Sequence, residues 1–357
     1  MTAPTETATV RFTLNGRAVS ADADETLLDV ARREGVEIPT LCYQEGLRTV
    51  GSCRACMVEI EGERILAPSC CRRPAQGMQV QSDSPRARRA QQTVLELLRT
   101  DVAAQHYTRD SELDGWCDRL GLGQSRLPGR DPVTPDPSHP AIAVNLDACI
   151  HCTRCVRACR EAQANDVIGV AFRGEHTKIV FDFDDPMGVS TCVACGECVQ
   201  ACPTGALSPA GGLALERPDR NVPSLCPYCG VGCQVTYHVR GDRILSVDGR
   251  DGPANDSRLC VKGRYGFDYA RHRQRLTTPL IRRDDAPPKR GDLALDPDDA
   301  HDFFREATWE EALDRAEAGL REIRDRHGGR ALAGFGSAKG SNEEAYLFQK
   351  LVRTGFG

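Results

Sequence analysis

The chain has 357 residues, a formal net charge of −5 and 18 cysteines, which is a very high cysteine count for its length. The 46 basic and 51 acidic residues nearly balance, which argues against a nucleic-acid-binding surface. No apolar run is long enough to span a bilayer, and the opening MTAPTETATV lacks the basic and apolar regions of a secretion signal. We therefore expect a cytoplasmic protein in which clustered cysteines bind metal rather than form disulfides.

The first segment predicts a hairpin followed by a helix. Apolar residues alternate over 10–14, and Asn15-Gly16 is typical of a tight turn between two strands. The run TLLDVARREG predicts a short amphipathic helix that begins at Thr26 and ends at Gly35. This strand–strand–helix order leads directly into the first group of cysteines.

A second helix is predicted over residues 86–99, where Ala90, Val94 and Leu97 would share one face. After it the sequence becomes rich in proline, and residues 127–140 (LPGRDPVTPDPSHP) are typical of a linker.

The first cysteine group is spaced as a variation on the plant-type [2Fe–2S] arrangement, with one ligand before a CxxC and one distant ligand. Cys71 competes with Cys70 for the last position. We favour Cys70, and interpret Cys71 as an inert buried thiol. The predicted two-iron ligands are Cys42, Cys53, Cys56 and Cys70.

Two later cysteine runs share the spacing C-x2-C-x2-C-x3-C and form an internal repeat. In two-cluster ferredoxins the fourth cysteine of each run binds the other run's cluster. Pro203 follows the second run, whereas Arg160 holds the matching place after the first. Two zinc knuckles are the alternative, although zinc motifs rarely use this doubled spacing. The predicted [4Fe–4S] ligands are Cys149, Cys152, Cys155 and Cys202 for one cluster, and Cys192, Cys195, Cys198 and Cys159 for the other.

A last cysteine group has the form CPYCGVGC followed by a distant LCVKGRYG, and four thiolates again favour [4Fe–4S] over zinc. Four groups of four leave Cys71 and Cys117 unused, and the predicted clusters together contain fourteen iron atoms. The ligands of this last cluster are predicted to be Cys226, Cys229, Cys233 and Cys260.

The C-terminal part has an α/β pattern. Thr308 with Glu311, and Ser341 with Glu344, predict capping boxes at the start of two helices. Between them ALAGFGS (331–337) predicts a short buried strand. One strand between two helices cannot complete a sheet, so we expect the natural polypeptide to continue beyond the last residue.

The order of these cysteine groups, together with CPYCGVGCQV and LCVKGRYGFDY, resembles the catalytic subunit of molybdenum- or tungsten-dependent formate dehydrogenases. The first segment also resembles the N-terminus of the large iron–sulfur subunit of respiratory complex I and of iron-only hydrogenases. The stretch GSAKGSNEEAYLFQKLVRTGFG is similar to formate dehydrogenases and differs from nitrate reductases.

Many relatives have a further cluster bound as H-x3-C-x2-C-x5-C. Here only His106 and Cys117 remain, so we interpret His106 as a surface residue and expect a shorter formate dehydrogenase subtype rather than complex I.

The resemblance implies an α+β multidomain chain. Its domains would be a β-grasp [2Fe–2S] ferredoxin domain (1–85), a helix and proline-rich linker (86–140), a two-[4Fe–4S] ferredoxin domain (141–215), a small β-rich [4Fe–4S] domain (219–275) and the beginning of an α/β molybdopterin-binding domain (276–357).

The resemblance also implies a function. Formate would be oxidised at a bis-molybdopterin guanine dinucleotide carrying molybdenum or tungsten, and electrons would leave through the [4Fe–4S] clusters and then the [2Fe–2S] cluster. Lys262 matches the lysine between the last cysteine group's cluster and the pterin. The partners would be flavin- and NAD-binding diaphorase-type subunits. The family's metal-ligating cysteine or selenocysteine is not in this sequence, which leaves a non-catalytic electron-transfer subunit or another molybdopterin reductase, such as a nitrate reductase, as alternatives.

Overall fold

The computed structural model describes residues 9–22, 24–102, 105–289 and 296–357. The chain divides into two compact units. The first contains 1–222, 236–248 and 258–264, and the second contains 223–235, 249–257 and 265–357. Within the described ranges, no helix combines the length and apolar character that a bilayer crossing requires.

A five-stranded sheet opens the first unit. Its strands are β1 (Val10–Leu14), β2 (Arg17–Ala21), β3 (Met57–Ile60), β4 (Ala67–Pro68) and β5 (Gln79–Gln81). The strand order is β2-β1-β5-β3-β4, with β1 antiparallel to β2 and parallel to β5. Asn15 (φ 49°) and Gly16 (φ 78°) both adopt the left-handed conformation that a two-residue hairpin turn needs, so the predicted hairpin is confirmed.

Helix α1 (Leu27–Arg33) covers this sheet. Its predicted start is confirmed, because the Asp29 amide donates to Thr26 Oγ1 (3.2 Å) and the Thr26 amide donates to Asp29 Oδ2 (3.0 Å). Leu28 and Val30 of α1 are fully buried against Val58 and Val80 of the sheet.

Helices α2 (Pro85–Thr100) and α3 (Glu112–Arg119) follow. The helix predicted over 86–99 is confirmed, but the three residues predicted to share one face differ in burial, because Val94 packs partly against the core and Leu97 does not. Leu97 is 49% exposed, while Leu95 is fully buried. Gln91 is also buried, because its amide donates to the carbonyl oxygens of Met57 (2.9 Å) and Ser82 (3.0 Å). A polar side chain thus lies on the inner face, where hydropathy alone would not place it.

The next part of the first unit contains two short antiparallel strand pairs and two short helices. These are β6 (Ile142–Val144) with β9 (Leu207–Pro209), β7 (Ile168–Ala171) with β8 (Lys178–Phe181), α4 (Arg154–Arg157) and α5 (Glu197–Ala201). The proline-rich segment 127–140 is irregular, as predicted. It is nevertheless anchored, because Asp136 and Val144 exchange backbone hydrogen bonds of 2.9 and 3.2 Å.

The remaining elements that contribute to the first unit are a three-stranded sheet and a short helix: β10 (Arg220–Leu225), β11 (Gln234–Arg240), β12 (Arg243–Gly249) and α6 (Val261–Tyr265).

The second unit contains β13 (Leu280–Arg282), α7 (Ala300–Phe303), β14 (Phe304–Glu306), α8 (Trp309–His327) and α9 (Asn342–Lys350). Helix α9 begins with the full capping box of Ser341 and Glu344, as predicted. At α8, Thr308 accepts from the Glu311 amide, but the Glu311 carboxylate bonds Arg305 instead of completing the box. The predicted strand over 331–337 is wrong: residues 332–337 are irregular, because no described strand lies beside them to complete a ladder.

Candidate iron–sulfur sites

The four thiols predicted to hold a two-iron cluster meet in the first domain. Cys42 lies after α1, Cys53 and Cys56 lie in the loop before β3, and Cys70 follows β4; all four are buried. Hydrogen bonds with the Cys53 and Cys70 thiols lower the pKa of Cys42 far below its ordinary value. A hydrogen bond with Cys70 lowers the pKa of Cys56 to about 7. The four thiols are thus close enough to form hydrogen bonds with one another. A cluster would replace the protons of these thiols with iron.

Cys70 and its neighbour Cys71 differ sharply in their surroundings. Cys70 is 1% exposed and contacts both Cys42 and Cys56. Cys71 is exposed, so our interpretation of it as a buried thiol is wrong, although its Sγ lies only 3.6 Å from Cys70 Sγ. The choice of Cys70 as ligand stays a prediction.

The first predicted four-iron group also converges. Its four cysteines line one small cavity together with apolar side chains that include Leu146 and Ile179. Burial raises the pKa of Cys149 to about 12 and the pKa of Cys152 to about 12. These thiols would therefore ionise only against a strong local positive charge, such as iron. The cysteines that line the cavity are Cys149, Cys152, Cys155 and Cys202.

The second predicted four-iron group forms around Cys198. Burial, followed by the charges of Cys195, Cys192 and Cys159, raises the pKa of Cys198 well above its ordinary value. Cys159, from the first run, thus lies with the second run's cysteines, while Cys202 lies with the first. The assignment of these thiols as ligands of two clusters stays a prediction.

The two runs repeat the same backbone geometry. His151 and Ala194 are both left-handed (φ 54° each), and each donates its amide to the sulfur two residues earlier at 3.4 Å. Amide hydrogen bonds to cluster sulfurs are one way in which proteins set reduction potentials.

The two cysteine runs end differently. Pro203 follows the short α5, whereas Arg160 lies in a continuing helical turn (158–162) and pairs with Asp166 at 2.7 Å.

The last cysteine group is divided between the two units. Cys226, Cys229 and Cys233 belong to one loop of the second unit, closed by a 2.9 Å hydrogen bond from the Cys226 amide to the Cys233 carbonyl. Cys260 belongs to the first unit and is exposed, as is Lys262 on α6. The described residues contain no preformed site for a single metal ion, so the cluster assignments rest on cysteine spacing and thiol convergence.

A buried ion pair missed by the sequence analysis holds the Cys260 segment against the ferredoxin repeat. Glu197 Oε1 accepts from the Leu259 amide (3.1 Å) and from Arg264 Nη2 (2.9 Å). Arg264 Nε also donates to the Cys195 carbonyl at 2.8 Å, and Arg264 is 3% exposed. The only signal in the sequence is that both charged residues lie close to cysteines of the predicted clusters.

His106 and Cys117, which match only part of the histidine-containing cluster motif, have ordinary surroundings. The His106 side chain is 61% exposed and its Nδ1 lies 3.4 Å from Asp114 Oδ2. Cys117 is fully buried in α3 against Leu95 and Leu113, and burial raises the pKa of its thiol.

Four sequence families match consecutive parts of the chain. Residues 7–85 match the 2Fe-2S iron-sulfur cluster binding domain, and 139–208 match the ferredoxin-like domain of NADH-quinone oxidoreductase subunit 3. Residues 219–272 match the molybdopterin oxidoreductase Fe4S4 domain, and 275–357 match the molybdopterin oxidoreductase family. The chain is thus a mixed α+β assembly of these domain types. The boundaries given in the sequence analysis remain predictions.

Three curated relatives align along nearly the whole chain. The alpha subunit of a Geobacter sulfurreducens NADPH-Fe(3+) oxidoreductase is 32% identical over 98% of the chain, and an NADH-quinone oxidoreductase subunit of Rhizobium meliloti is 34% identical over 97%. A Staphylococcus haemolyticus protein that is named a putative formate dehydrogenase is 28% identical over 97% of the chain. The chain spans only 38–39% of the length of these relatives. The similarity to an NADH-quinone oxidoreductase subunit does not support the expectation that this chain differs from the complex I type.

Among solved structures, an NAD+-reducing [NiFe]-hydrogenase in the H2-reduced state matches with a TM-score of 0.53 and 27% identity. The match covers 57% of this chain and 88% of the hydrogenase chain. Taken with the four domain matches, residues 219–357 are similar to the molybdopterin oxidoreductase superfamily, and the preceding part carries iron–sulfur domains similar to those of NADH dehydrogenase and hydrogenase complexes.

Proposed function

We propose that this chain is the iron–sulfur part of a formate dehydrogenase catalytic subunit. The subunit would oxidise formate to carbon dioxide and pass the electrons through one [2Fe–2S] and three [4Fe–4S] clusters. The observation that carries this proposal is the convergence of three cysteine quartets in a chain that ends in a molybdopterin oxidoreductase domain. The helix sequence NEEAYLFQKL and the formate dehydrogenase-named relative favour formate as the substrate.

The chemistry divides between cofactor and protein. A bis-molybdopterin guanine dinucleotide with molybdenum or tungsten, when bound, supplies the two-electron oxidation of formate. The protein's residues hold the clusters, exclude water by apolar burial and donate amides to sulfur. Glu197 and Arg264 fix the backbone on both sides of Cys260, through the Leu259 amide and the Cys195 carbonyl.

The electron acceptor in this proposal is a flavin- and NAD-binding diaphorase-type partner in the cytoplasm. Two similar proteins support it: one is named as an NADH-quinone oxidoreductase subunit and another as an NAD+-reducing hydrogenase. In this proposal the electrons leave from the [2Fe–2S] domain at residues 7–85, as the resemblance to formate dehydrogenases implies.

A second candidate is an electron-transfer subunit of an NAD(P)H-linked reductase without formate chemistry. Sequence identity to the relatives favours this second candidate. The NADPH-Fe(3+) oxidoreductase and NADH-quinone oxidoreductase relatives are 32% and 34% identical to the chain, and the protein named as a formate dehydrogenase is 28% identical.

One anaerobic experiment separates the candidates. The full-length enzyme with its natural partners is mixed with formate, NADH, NADPH or nitrate, and the visible absorbance and EPR signals of the clusters are followed. Formate should reduce the clusters within the time of enzyme turnover, and NAD+ should reoxidise them. Reduction by NADPH or NADH with no response to formate would establish the second candidate, and nitrate-driven reoxidation would indicate a nitrate reductase.

Lys262 gives a residue-level test of the same proposal. Its positive charge would lie between the last cluster and the pterin and favour the arriving electron. Lys262→Ala should slow formate-driven reduction of the clusters, and leave NADH-driven reduction from the [2Fe–2S] end unchanged. Lys289→Ala, at an exposed position outside the helix sequence NEEAYLFQKL, is the matched control. Unchanged stopped-flow kinetics with formate would show that Lys262 is an ordinary surface lysine.

A further inference from the structure

Arg157 lies between the two-iron group and a four-iron group, and its guanidinium contacts the backbone of both. Nη2 donates to the carbonyl oxygens of Cys42 (2.6 Å) and Cys152 (3.3 Å). Nη1 donates to the Arg48 carbonyl (2.7 Å), and Nε donates to the Thr153 carbonyl (3.3 Å). The residue is 5% exposed. One planar side chain thus joins two cysteine loops, although Arg157 and Cys42 are 115 residues apart in sequence.

The guanidinium has hydrogen-bond acceptors but no counter-charge. Among the described residues, no carboxylate lies within ion-pair distance of Arg157. The two other deeply buried arginines differ: Arg154 pairs with Glu112 (2.5 and 2.9 Å), and Arg264 pairs with Glu197 (2.9 Å). A buried cation without a nearby anion is strongly unfavourable.

The surroundings increase that penalty. Cys42, Cys53 and Cys152 belong to one cluster of buried, mainly apolar residues that includes Leu95 and Ile150. Charges interact more strongly in such a water-poor region than at the surface. Anionic clusters held by these cysteines would supply the counter-charge that the four carbonyl oxygens around Arg157 do not.

We propose that Arg157 is the positioning residue that couples the [2Fe–2S] cluster to the adjacent [4Fe–4S] cluster, with the two anionic clusters as its counter-charges. This inference rests on the cluster ligation in the proposed function, although not on formate as substrate. One electron leaves the four-iron cluster, which is oxidised, and enters the two-iron cluster, which is reduced. The guanidinium keeps its protons throughout.

Arg157 would act in two ways. Its charge stabilises the extra electron on either cluster and so raises both reduction potentials. Its hydrogen bonds to the Cys42 and Cys152 carbonyls hold the two ligand loops together, and provide a short bonded path between them.

The test compares three variants of the iron-loaded full-length enzyme. Arg157→Met removes the charge and the donors at similar volume, and Arg157→Lys keeps the charge without the planar fork. Arg160→Gln removes a charge three residues away, from a side chain that is 58% exposed, and is the matched control. Iron content and EPR first establish that each variant holds both clusters.

In Arg157→Met, redox titration followed by EPR should show the reduction potentials of both clusters lowered by about 59 mV or more. That corresponds to a tenfold or larger shift of each one-electron equilibrium toward the oxidised cluster. In Arg157→Lys and Arg160→Gln, the same one-electron equilibria should stay within about threefold of those in the wild type. Freeze-quench EPR should show electron arrival at the two-iron cluster slowed at least tenfold in Arg157→Met and at least threefold in Arg157→Lys.

Unchanged potentials and unchanged transfer in Arg157→Met would overturn the proposal. If that variant loses its clusters, Arg157→Lys decides, and wild-type transfer in it would overturn the proposal. A wild-type enzyme without a two-iron signal would overturn both this inference and the ligand assignment. An enzyme that shows the Arg157 effects but ignores formate would contradict only the formate proposal.

Discussion

Two helices of similar sequence character have opposite environments. Helix α2 in the first unit buries Leu95 completely, whereas α8 in the second unit leaves Trp309 70% and Leu313 61% exposed. Both helices begin with a hydroxyl cap and both have an apolar stripe. Local sequence is therefore sufficient to form each helix, but burial depends on whether other segments supply a surface for the stripe.

The cysteine groups show the same contrast. The thiols of the two-iron group and the first four-iron group lie within apolar clusters or an apolar cavity. In the last group, Cys229 and Cys260 are exposed. Apolar packing already brings the thiols of the first groups together, and we expect the last group to depend more on the iron that it is predicted to bind.

Removal of iron should have the largest effect. Iron-loaded protein should contain close to fourteen irons per chain, and a chelator should remove iron first from the exposed last group. Loss of all clusters should destabilise the first unit by on the order of 10 kcal/mol, the scale of structural zinc sites. Hydrogen exchange should then rise in α4 and α5 and change little in α8. Stoichiometric zinc in place of iron would contradict the cluster assignment.

The next effect concerns one cluster. Cys70→Ser should remove the two-iron EPR signal and about two irons per chain, because Cys70 is buried in contact with Cys42 and Cys56. Cys71→Ser is the control and should keep the signal, since Cys71 is an exposed residue whereas Cys70 is buried. Equal loss in both variants would mean that the two cysteines share the ligand position.

A pair of leucine substitutions tests the difference between the helices. Leu95→Ala should lower the free energy of unfolding of the first unit by about 2–5 kcal/mol, because it leaves a cavity in a packed core. Leu313→Ala should change the second unit by less than about 0.5 kcal/mol. Denaturant unfolding of the 357-residue chain measures both. Similar losses would show that the stripe of α8 is covered in solution.

The smallest effect is a pH dependence in the first unit. His139 is buried, and desolvation lowers its pKa from the ordinary 6.5, while its Nδ1 accepts from the Ala141 and Ile142 amides. The folded state therefore favours neutral His139. Its contribution to stability is fully present above pH 6.5 and is lost as the pH falls below that value. His139→Asn should flatten this part of the stability profile, and His176→Asn, at an exposed site, should not.

Short-range features were predictable because neighbouring residues produce them. The Asn15-Gly16 turn, the Thr26 cap and the repeated cysteine spacing each depend on a few adjacent side chains and on allowed backbone angles. The repeated spacing also predicts interleaved ligands, because the fourth cysteine of each run binds the other run's cluster in two-cluster ferredoxins, and this assignment stays a prediction.

Long-range features were decided by the tertiary structure. The inner face of α2 includes Gln91 because distant carbonyls of Met57 and Ser82 accept its amide, and residues 332–337 form no strand because no described strand lies beside them.

The same holds for the two arginines of α4. Nothing in the order of residues separates Arg157 from Arg154, which lie one helical turn apart. Arg154 meets a carboxylate, whereas Arg157 meets only carbonyl oxygens, including those of two cysteine loops. The fold brings these partner groups together from distant parts of the sequence. The partners determine whether a buried charge is neutralised by the protein or needs the charge of a cofactor.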